Sequence, residues 1–336
     1  MERGLTESEL IELLRSRAPG SSRLRTGIGD DAAISVPGGA TATTVDAVVD
    51  GVHFRTRDSP PEMIARKAVA TALSDLAAMA AEPGEIYVSV GLVRGSEDDF
   101  LDRLARGLAE SAARYGVALA GGDTVASPVL FLSVTAVGHV ASEQELVTRS
   151  GAGPGESIAL TGEIGGARAG LWLLEQDDRE GAGPAVDRLD DRIRRKLIDR
   201  QLAPEPLLQT GSALGRAGAT AMIDLSDGLI TDLGHLATSS AVGIEIDADL
   251  LPVAAGVDAV AAAAGRSPAE FVLGGGEDYE LALAVPESAL EAAVAAAESS
   301  GSGLTVIGRT ESGPSRVTVR QDGRLLQPAP GYDHLA

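Results

Sequence analysis

The pattern of apolar and polar positions divides this chain into alternating strands and helices. Thr6-Glu7-Ser8-Glu9 has the form of a capping box and predicts a helix to about Ser16. Arg25 to Val36 reads as turn and strand, and Thr41 to Val45 as a β-branched strand ending at Asp46. Pro60-Pro61 opens a helix reaching about Ala81, because proline is tolerated in a first helical turn. Asp75 falls inside that helix, on the side of Ala72, Leu76 and Met79. Glu85 to Val93 is a predicted strand and Glu97 to Tyr115 a helix. Val117 to Ala120 is a strand running into Gly121-Gly122-Asp123, and Val129 to Val140 is another strand.

The pattern breaks near Val147 to Gly155, where Arg149, Ser150 and three glycines intervene. This suggests two domains, 1–147 and 148–336. In the second, Ser157 to Leu160 is a strand entering Gly162-Glu163-Ile164-Gly165-Gly166, followed by a helix to about Leu174. Glu175 to Arg192 reads as an acidic, solvated loop. Pro204 and Pro206 start a helix, Thr220 to Ile223 is a strand delivering Asp224, and Ser226 can cap a helix through His235. The alternation continues with a strand from Val242, a helix from Val253, a strand Glu280 to Val285, a helix from Glu287 and a strand from Leu304. The fold class is therefore α+β or α/β.

Several aspartates sit where apolar runs meet turns: Asp30-Asp31, Asp46, Asp75, Asp123, Asp224 and Asp227. Carboxylates among apolar residues are costly unless compensated. Hard divalent cations are the usual compensation, since they prefer carboxylate oxygens and keep waters for bound phosphates. Two glycine-rich stretches keep two readings each. Gly162 to Gly170 is either a tight strand–helix turn or a set of backbone N–H groups facing phosphate. Gly274 to Leu281 is either a hairpin or a loop that admits substrate to the backbone.

Composition narrows the chemistry. The 336 residues are 44% hydrophobic, enough for one large or two medium cores. The net charge of −21 opposes nucleic acid and anionic membranes as partners. There is no cysteine, which excludes disulfides, thiolate metal sites and cysteine nucleophiles, and fits the cytoplasm. No apolar signal core or membrane-length run occurs. Only Lys67 and Lys196 are lysines, so an anionic substrate would depend on metal ions or arginines. No P-loop or Rossmann fingerprint is present.

Taken together, the motifs resemble those of the thiamine-monophosphate kinases. They are Gly27-Ile28-Gly29-Asp30-Asp31-Ala32, Asp46 to Phe54 (DAVVDGVHF), Ser74-Asp75-Leu76-Ala77-Ala78-Met79, Gly121-Gly122-Asp123-Thr124, Asp224-Leu225-Ser226-Asp227-Gly228-Leu229 and Gly275-Gly276-Glu277-Asp278-Tyr279-Glu280-Leu281. The match extends to Gly331-Tyr332-Asp333-His334. The resemblance implies a two-domain aminoimidazole ribonucleotide synthetase-like fold. It further implies transfer of the ATP γ-phosphoryl group to thiamine monophosphate, with several Mg²⁺ ions, in a homodimer pairing its N-terminal sheets. By the same resemblance, Asp30, Thr44, Val45, Asp46, Asp75, Asp123, Asp224 and Asp227 fall at metal positions. Tyr115, Gly122, Asp123, Arg149 and Ser226 fall at nucleotide positions, and His53, Glu277 and Tyr332 at substrate positions. Asp46, Asp75, Asp123 and Arg149 would carry the chemistry, in a site expected between the two domains. Two alternatives stand beside this reading: another ATP-using enzyme of the superfamily, such as aminoimidazole ribonucleotide synthetase, and a non-catalytic acidic metal-binding protein.

Overall fold

A computed structural model describes residues 7–28, 33–36, 38–176, 186, 189–327 and 331. The chain forms two compact units. The first holds Met1–Leu76 with Ala81–Glu143, and the second Ala77–Ala80 with Gln144–Ala336.

In the first unit the order is α1 (Glu7–Arg17), β1 (Leu24–Thr26), β2 (Ile34–Ser35), β3 (Ala40–Val49), α2 (Pro61–Ala78), β4 (Glu82–Val93), α3 (Asp98–Tyr115), β5 (Ala118–Ser127) and β6 (Phe131–Val140). Four strands form a sheet in the order β3-β6-β4-β5. β4 and β5 are parallel, and the other pairs antiparallel. Ile86, Val88 and Val90 of β4 and Leu132, Val134 and Ala136 of β6 are buried. So are Ala65, Ala68, Val69, Ala72, Leu73 and Leu76 of α2. These six form one apolar stripe, and Lys67, Ala70, Ser74 and Ala77 on the opposite side are buried as well, so α2 is a core helix covered all round. α3 carries its apolar residues on one face (Leu101, Leu104, Ala105, Leu108 and Ala112) and ends at Gly116 in the left-handed region.

Two strands differ from expectation. Asp46 does not end β3: it pairs with Val134 in mid-strand, and Val48 and Val49 extend the ladder. Asp123 likewise lies inside β5, which runs beside β4 as far as Ser127. A single carboxylate does not stop a strand whose neighbours are β-branched and whose partner strand continues. Glycine at 122 permits this ladder, because a Cβ there would stand 2.0 Å from the Val88 carbonyl oxygen.

In the second unit the order is β7 (Ser157–Thr161), α4 (Gly166–Gln176), α5 (Asp191–Leu202), α6 (Leu208–Ala217), β8 (Ala221–Asp224), α7 (Leu229–Ser240), β9 (Gly243–Asp247), α8 (Val257–Ala263), α9 (Pro268–Leu273), β10 (Leu281–Val285), α10 (Glu287–Ser299), β11 (Leu304–Glu311), β12 (Val317–Gln321) and β13 (Arg324–Leu326). Its seven-stranded sheet runs β13-β12-β9-β11-β7-β10-β8. Only β9 and β12 pair in parallel. The strands β7 and β10 are buried along nearly their whole length, with apolar clusters on both sides of the sheet. One gathers Ile158, Leu160, Leu233, Leu236 and Ile244. The other gathers Ala159, Leu214, Met222, Leu283 and Ala297 with Ala77, Ala78 and Ala80. α5 was not foreseen: its sequence is mostly charged, and burial of Leu197 and Gln201 holds it. Among the described residues no helix is long and apolar enough to cross a membrane.

Candidate active site

In the first unit, β3 and α2 bring Thr44 and Asp75 together, the Thr44 hydroxyl donating to an Asp75 carboxylate oxygen. Asp46 lies two residues along β3, on the same half-buried side as Thr44, while Val45 between them is 64% exposed. These donors are all oxygens, the set a hard cation takes.

Gly122 and Asp123 lie elsewhere on this sheet. Asp46 pairs with Val134, Val134 with Val88, and Val88 with Gly122. The two carboxylate positions therefore stand on opposite edges, three strand spacings or roughly 14 Å apart. Gly121 to Thr124 instead line a pocket of ≈ 610 Å³ with Ile11 and Leu14 of α1 and Tyr87 of β4. Ile28 and Ala33 line it too; Asp30 and Asp31, between them in sequence, are outside the described residues. Burial, then the Glu85 carboxylate, raises the Tyr87 phenol above its ordinary pKa, so Tyr87 stays a neutral hydroxyl there. Tyr115 is the last residue of α3, with the Arg114 guanidinium 5.9 Å from its ring centroid. Five strand residues, roughly 17 Å, separate the start of β5 from Asp123, so the two candidates are not neighbours.

His53 follows β3 in a tight turn. Its Nδ1 accepts from the Val49 N–H at 3.1 Å, and its carbonyl accepts from Lys67 Nζ at 2.8 Å.

In the second unit the Asp224-Leu225-Ser226-Asp227 loop and the Glu277 loop are laced together. Glu277 N donates to the Ser226 carbonyl at 2.8 Å, Tyr279 N to that of Leu225 at 2.9 Å, and Leu225 N to that of Glu280 at 2.8 Å. Glu277 and Tyr279 adopt φ of +66° and +52°. Such conformations cost of order 1–3 kcal/mol each and gather at ligand clamps. The segment joins α9 to β10 and is not a hairpin. Gln201 of α5 donates to Glu277 Oε2 at 2.6 Å. The Arg149 backbone lies away from this loop: Met222 N of β8 donates to the Thr148 carbonyl at 3.0 Å, and the Arg149 carbonyl accepts from the Ser240 hydroxyl at 2.9 Å, at the end of α7 opposite Gly228. Tyr332 is outside the described residues; its neighbour Gly331 donates to the Thr231 hydroxyl at 3.1 Å, on α7.

Ser226 does not cap α7. The cap is Gly228, at φ +124°, and the carboxylate of Asp232 reaches back to the N–H groups of Asp227 (3.2 Å) and Gly228 (3.0 Å). Burial, and then the nearby Asp224 and Asp227 charges, push the Asp232 pKa to about 8. A divalent cation at Asp224 and Asp227 would relieve the smaller, electrostatic part of this shift and leave the burial part. The glycine turn before α4 is not open to phosphate either. Asp278 accepts from Gly165 N at 2.6 Å and Ala167 N at 3.2 Å, and so occupies that helix start. Burial raises the Asp278 pKa to about 6. Burial also raises Glu280, opposed by the Thr161 hydroxyl and Arg200. Among the described residues no three His, Asp or Glu side chains converge tightly enough to hold a metal alone.

A pH dependence follows. Folded Asp232 and Asp278 hold protons that the unfolded chain releases near pH 4, so each lowers stability as pH rises, Asp278 up to about 6 and Asp232 up to about 8. Each contributes a slope of at most about 1.4 kcal/mol per pH unit. The Tm of chelator-treated protein is expected to fall between pH 6 and pH 8, and Asp232→Asn to flatten that fall. An equally steep fall in the variant would remove Asp232 as its cause.

Residues 29–140 match the AIR synthase related protein N-terminal domain, and residues 153–320 the corresponding C-terminal domain. The thiamine-monophosphate kinase of Salmonella typhimurium is 37% identical over 322 residues, covering 94% of both chains. The thiamine-monophosphate kinase structure from Stenotrophomonas maltophilia superposes with a TM-score of 0.81 at 34% identity, covering 96% of this chain and 98% of that one. AaThiL complexed with AMPPCP and TMP superposes at 0.74 with 28% identity, covering 98% and 96%. With both domains matched and kinase relatives aligned along nearly its whole length, the chain belongs to the thiamine-monophosphate kinase family of AIR synthase related proteins.

Proposed function

We propose that this chain transfers the γ-phosphoryl group of ATP directly to thiamine monophosphate, with Mg²⁺ bound by Thr44, Asp46, Asp75 and Asp123 in the first unit and Asp224 and Asp227 in the second. The observation that carries the reading is the lacing of the Asp224–Asp227 loop to the strained Glu277 loop, which joins candidate metal and substrate residues in one element. The relative solved with an ATP analogue and TMP supports both substrates. Asp30 and Tyr332 complete the metal and substrate sets in this reading.

The acceptor is a phosphate monoester, whose second pKa is about 6, so its oxygen is already largely deprotonated near pH 7. No protein base has to remove a proton. What remains is repulsion between two polyanions in a chain of net charge −21. Bound Mg²⁺ supplies the charge neutralisation and in-line alignment that phosphoryl transfer needs. The protein's part is to hold its carboxylates in place, to offer the Arg149 guanidinium to phosphate oxygens, and to seat the acceptor by His53, Glu277 and Tyr332. The pocket beside Gly121–Thr124 is partly apolar and large enough for a nucleotide base.

We further propose a homodimer. β3 and β5 are ten-residue edge strands, each paired on one side only among the described residues, and Val45 and Val125 are 64% and 44% exposed on them. Open edges of this length invite pairing. Joining β5 of each protomer to β3 of its partner closes an eight-stranded barrel, and puts the Asp46 strand and the Asp123 strand on the same seam.

With ATP, Mg²⁺ and thiamine monophosphate, the purified protein is expected to release ADP and thiamine diphosphate in equal amounts. A purine-precursor acceptor should give neither. With γ-labelled ATP and no acceptor, the protein should stay unlabelled; a labelled chain would overturn direct transfer.

A further inference from the structure

Of the two lysines, Lys196 is exposed and pairs with Glu163 at 3.2 Å, whereas Lys67 is 1% exposed inside α2. Burying an ammonium is unfavourable, and a methionine of similar length would fill the same space. One contact of Lys67 reaches a candidate site residue. Nζ donates to the carbonyl oxygen of His53 at 2.8 Å. The turn carrying that carbonyl is closed by Gly51 N to the Phe54 carbonyl at 2.7 Å and by His53 N to that of Val49 at 3.0 Å. Buried Phe54 anchors its end, and Asp50 accepts from the N–H of Thr56 at 3.0 Å. Within the turn, Nδ1 of His53 accepts from the Val49 N–H. The proton of the neutral ring therefore sits on Nε2, which makes that nitrogen a donor.

α2 thus ties down two neighbouring functional candidates. Asp75 meets Thr44 of β3. Lys67, eight residues earlier and roughly 12 Å along the same helix, meets the turn that follows β3. We infer that Lys67 is a positioning residue that fixes the His53 turn so that Nε2–H donates to the phosphate of thiamine monophosphate. The inference rests on the proposed role of His53 as a substrate contact, and adds a residue whose effect passes through it.

Lys67→Met is expected to raise the KM for thiamine monophosphate about tenfold, the scale on which partners of ligand-contacting residues act. The KM for ATP should stay within about twofold of wild type, a split that simple loosening of the core would not produce. His53→Ala should show the same selective rise, and the double variant should be no worse than His53→Ala alone, since both changes remove one interaction. Additive effects, or equal rises in both KM values, would overturn the inference. Should Lys67→Met not fold, Lys67→Gln shortens the donor and should show the same selective rise; an unchanged KM there overturns it too. If His53→Ala leaves the KM for thiamine monophosphate unchanged, the substrate role of His53 fails. If His53→Ala raises it and Lys67→Met does not, only the role of Lys67 fails.

Discussion

Asp46→Asn and Asp123→Asn should each be nearly inactive, yet a mixture of the two subunits should recover activity. In one chain these residues stand on opposite edges of the β3-β6-β4-β5 sheet, roughly 14 Å apart. That is too far for one cation with ligands 2.0–2.1 Å away to touch both. If β5 of one protomer joins β3 of its partner, each site takes Asp46 from one subunit and Asp123 from the other. A two-fold dimer of one variant with the other then has one intact site and one doubly altered site. Random re-association makes about half the dimers mixed, so about one quarter of wild-type activity should return. Singly altered homodimers should stay at least about a hundredfold down. Asparagine keeps the shape of both side chains, so loss of fold does not account for the defect. If both variants are inactive and the mixture stays inactive, the site lies within one chain. A monomer in solution would sink the dimer outright.

Much of the second unit's candidate site was legible because its chemistry is local. Asp224, Ser226 and Asp227 fall within four residues at a strand end, and Glu277 follows three glycines. What the sequence does not display is their lacing, since the Ser226–Glu277 and Leu225–Tyr279 bonds join segments about fifty residues apart. Asp232 lies inside a helix, and its link to the acidic loop is made through space. Its position four residues after Gly228 is the available signal, as one helical turn returns its carboxylate to the helix start. Asp278 was hidden in the same way: it sits beside Glu277 in sequence but caps α4 from over a hundred residues away. In the first unit, the sequence located strands correctly but misplaced Asp46 and Asp123 at their ends. Strand order decides which carboxylates are neighbours, and no local pattern carries strand order. Lys67 and Gln201 had no sequence signal, because a buried lysine or glutamine is defined by the group it reaches, not by its own surroundings in sequence.

Asp75→Asn should abolish metal-dependent turnover while leaving the fold intact. Asp75 lies in a helix whose neighbours Ala72, Leu73 and Leu76 are 0–1% exposed, so its carboxylate is held by a rigid core. Its observed partner is the Thr44 hydroxyl. Asparagine keeps an oxygen to accept that bond and nearly the same volume, which preserves packing. It loses the negative charge, and with it the strong attraction for Mg²⁺ on which the transfer depends. A loss of at least about a hundredfold in kcat is expected, equivalent to about 2.7 kcal/mol of transition-state stabilisation. The Mg²⁺ concentration for half-maximal rate should rise as well. Thr44→Val makes the converse test: it keeps the carboxylate and removes the hydroxyl, at about 1 kcal/mol in stability for the lost hydrogen bond. Its kcat should fall less than that of Asp75→Asn, because the charge remains. Wild-type kcat and an unchanged Mg²⁺ response in Asp75→Asn would reduce the Thr44–Asp75 pair to a structural tie between β3 and α2. The metal would then have to rest on the other carboxylates.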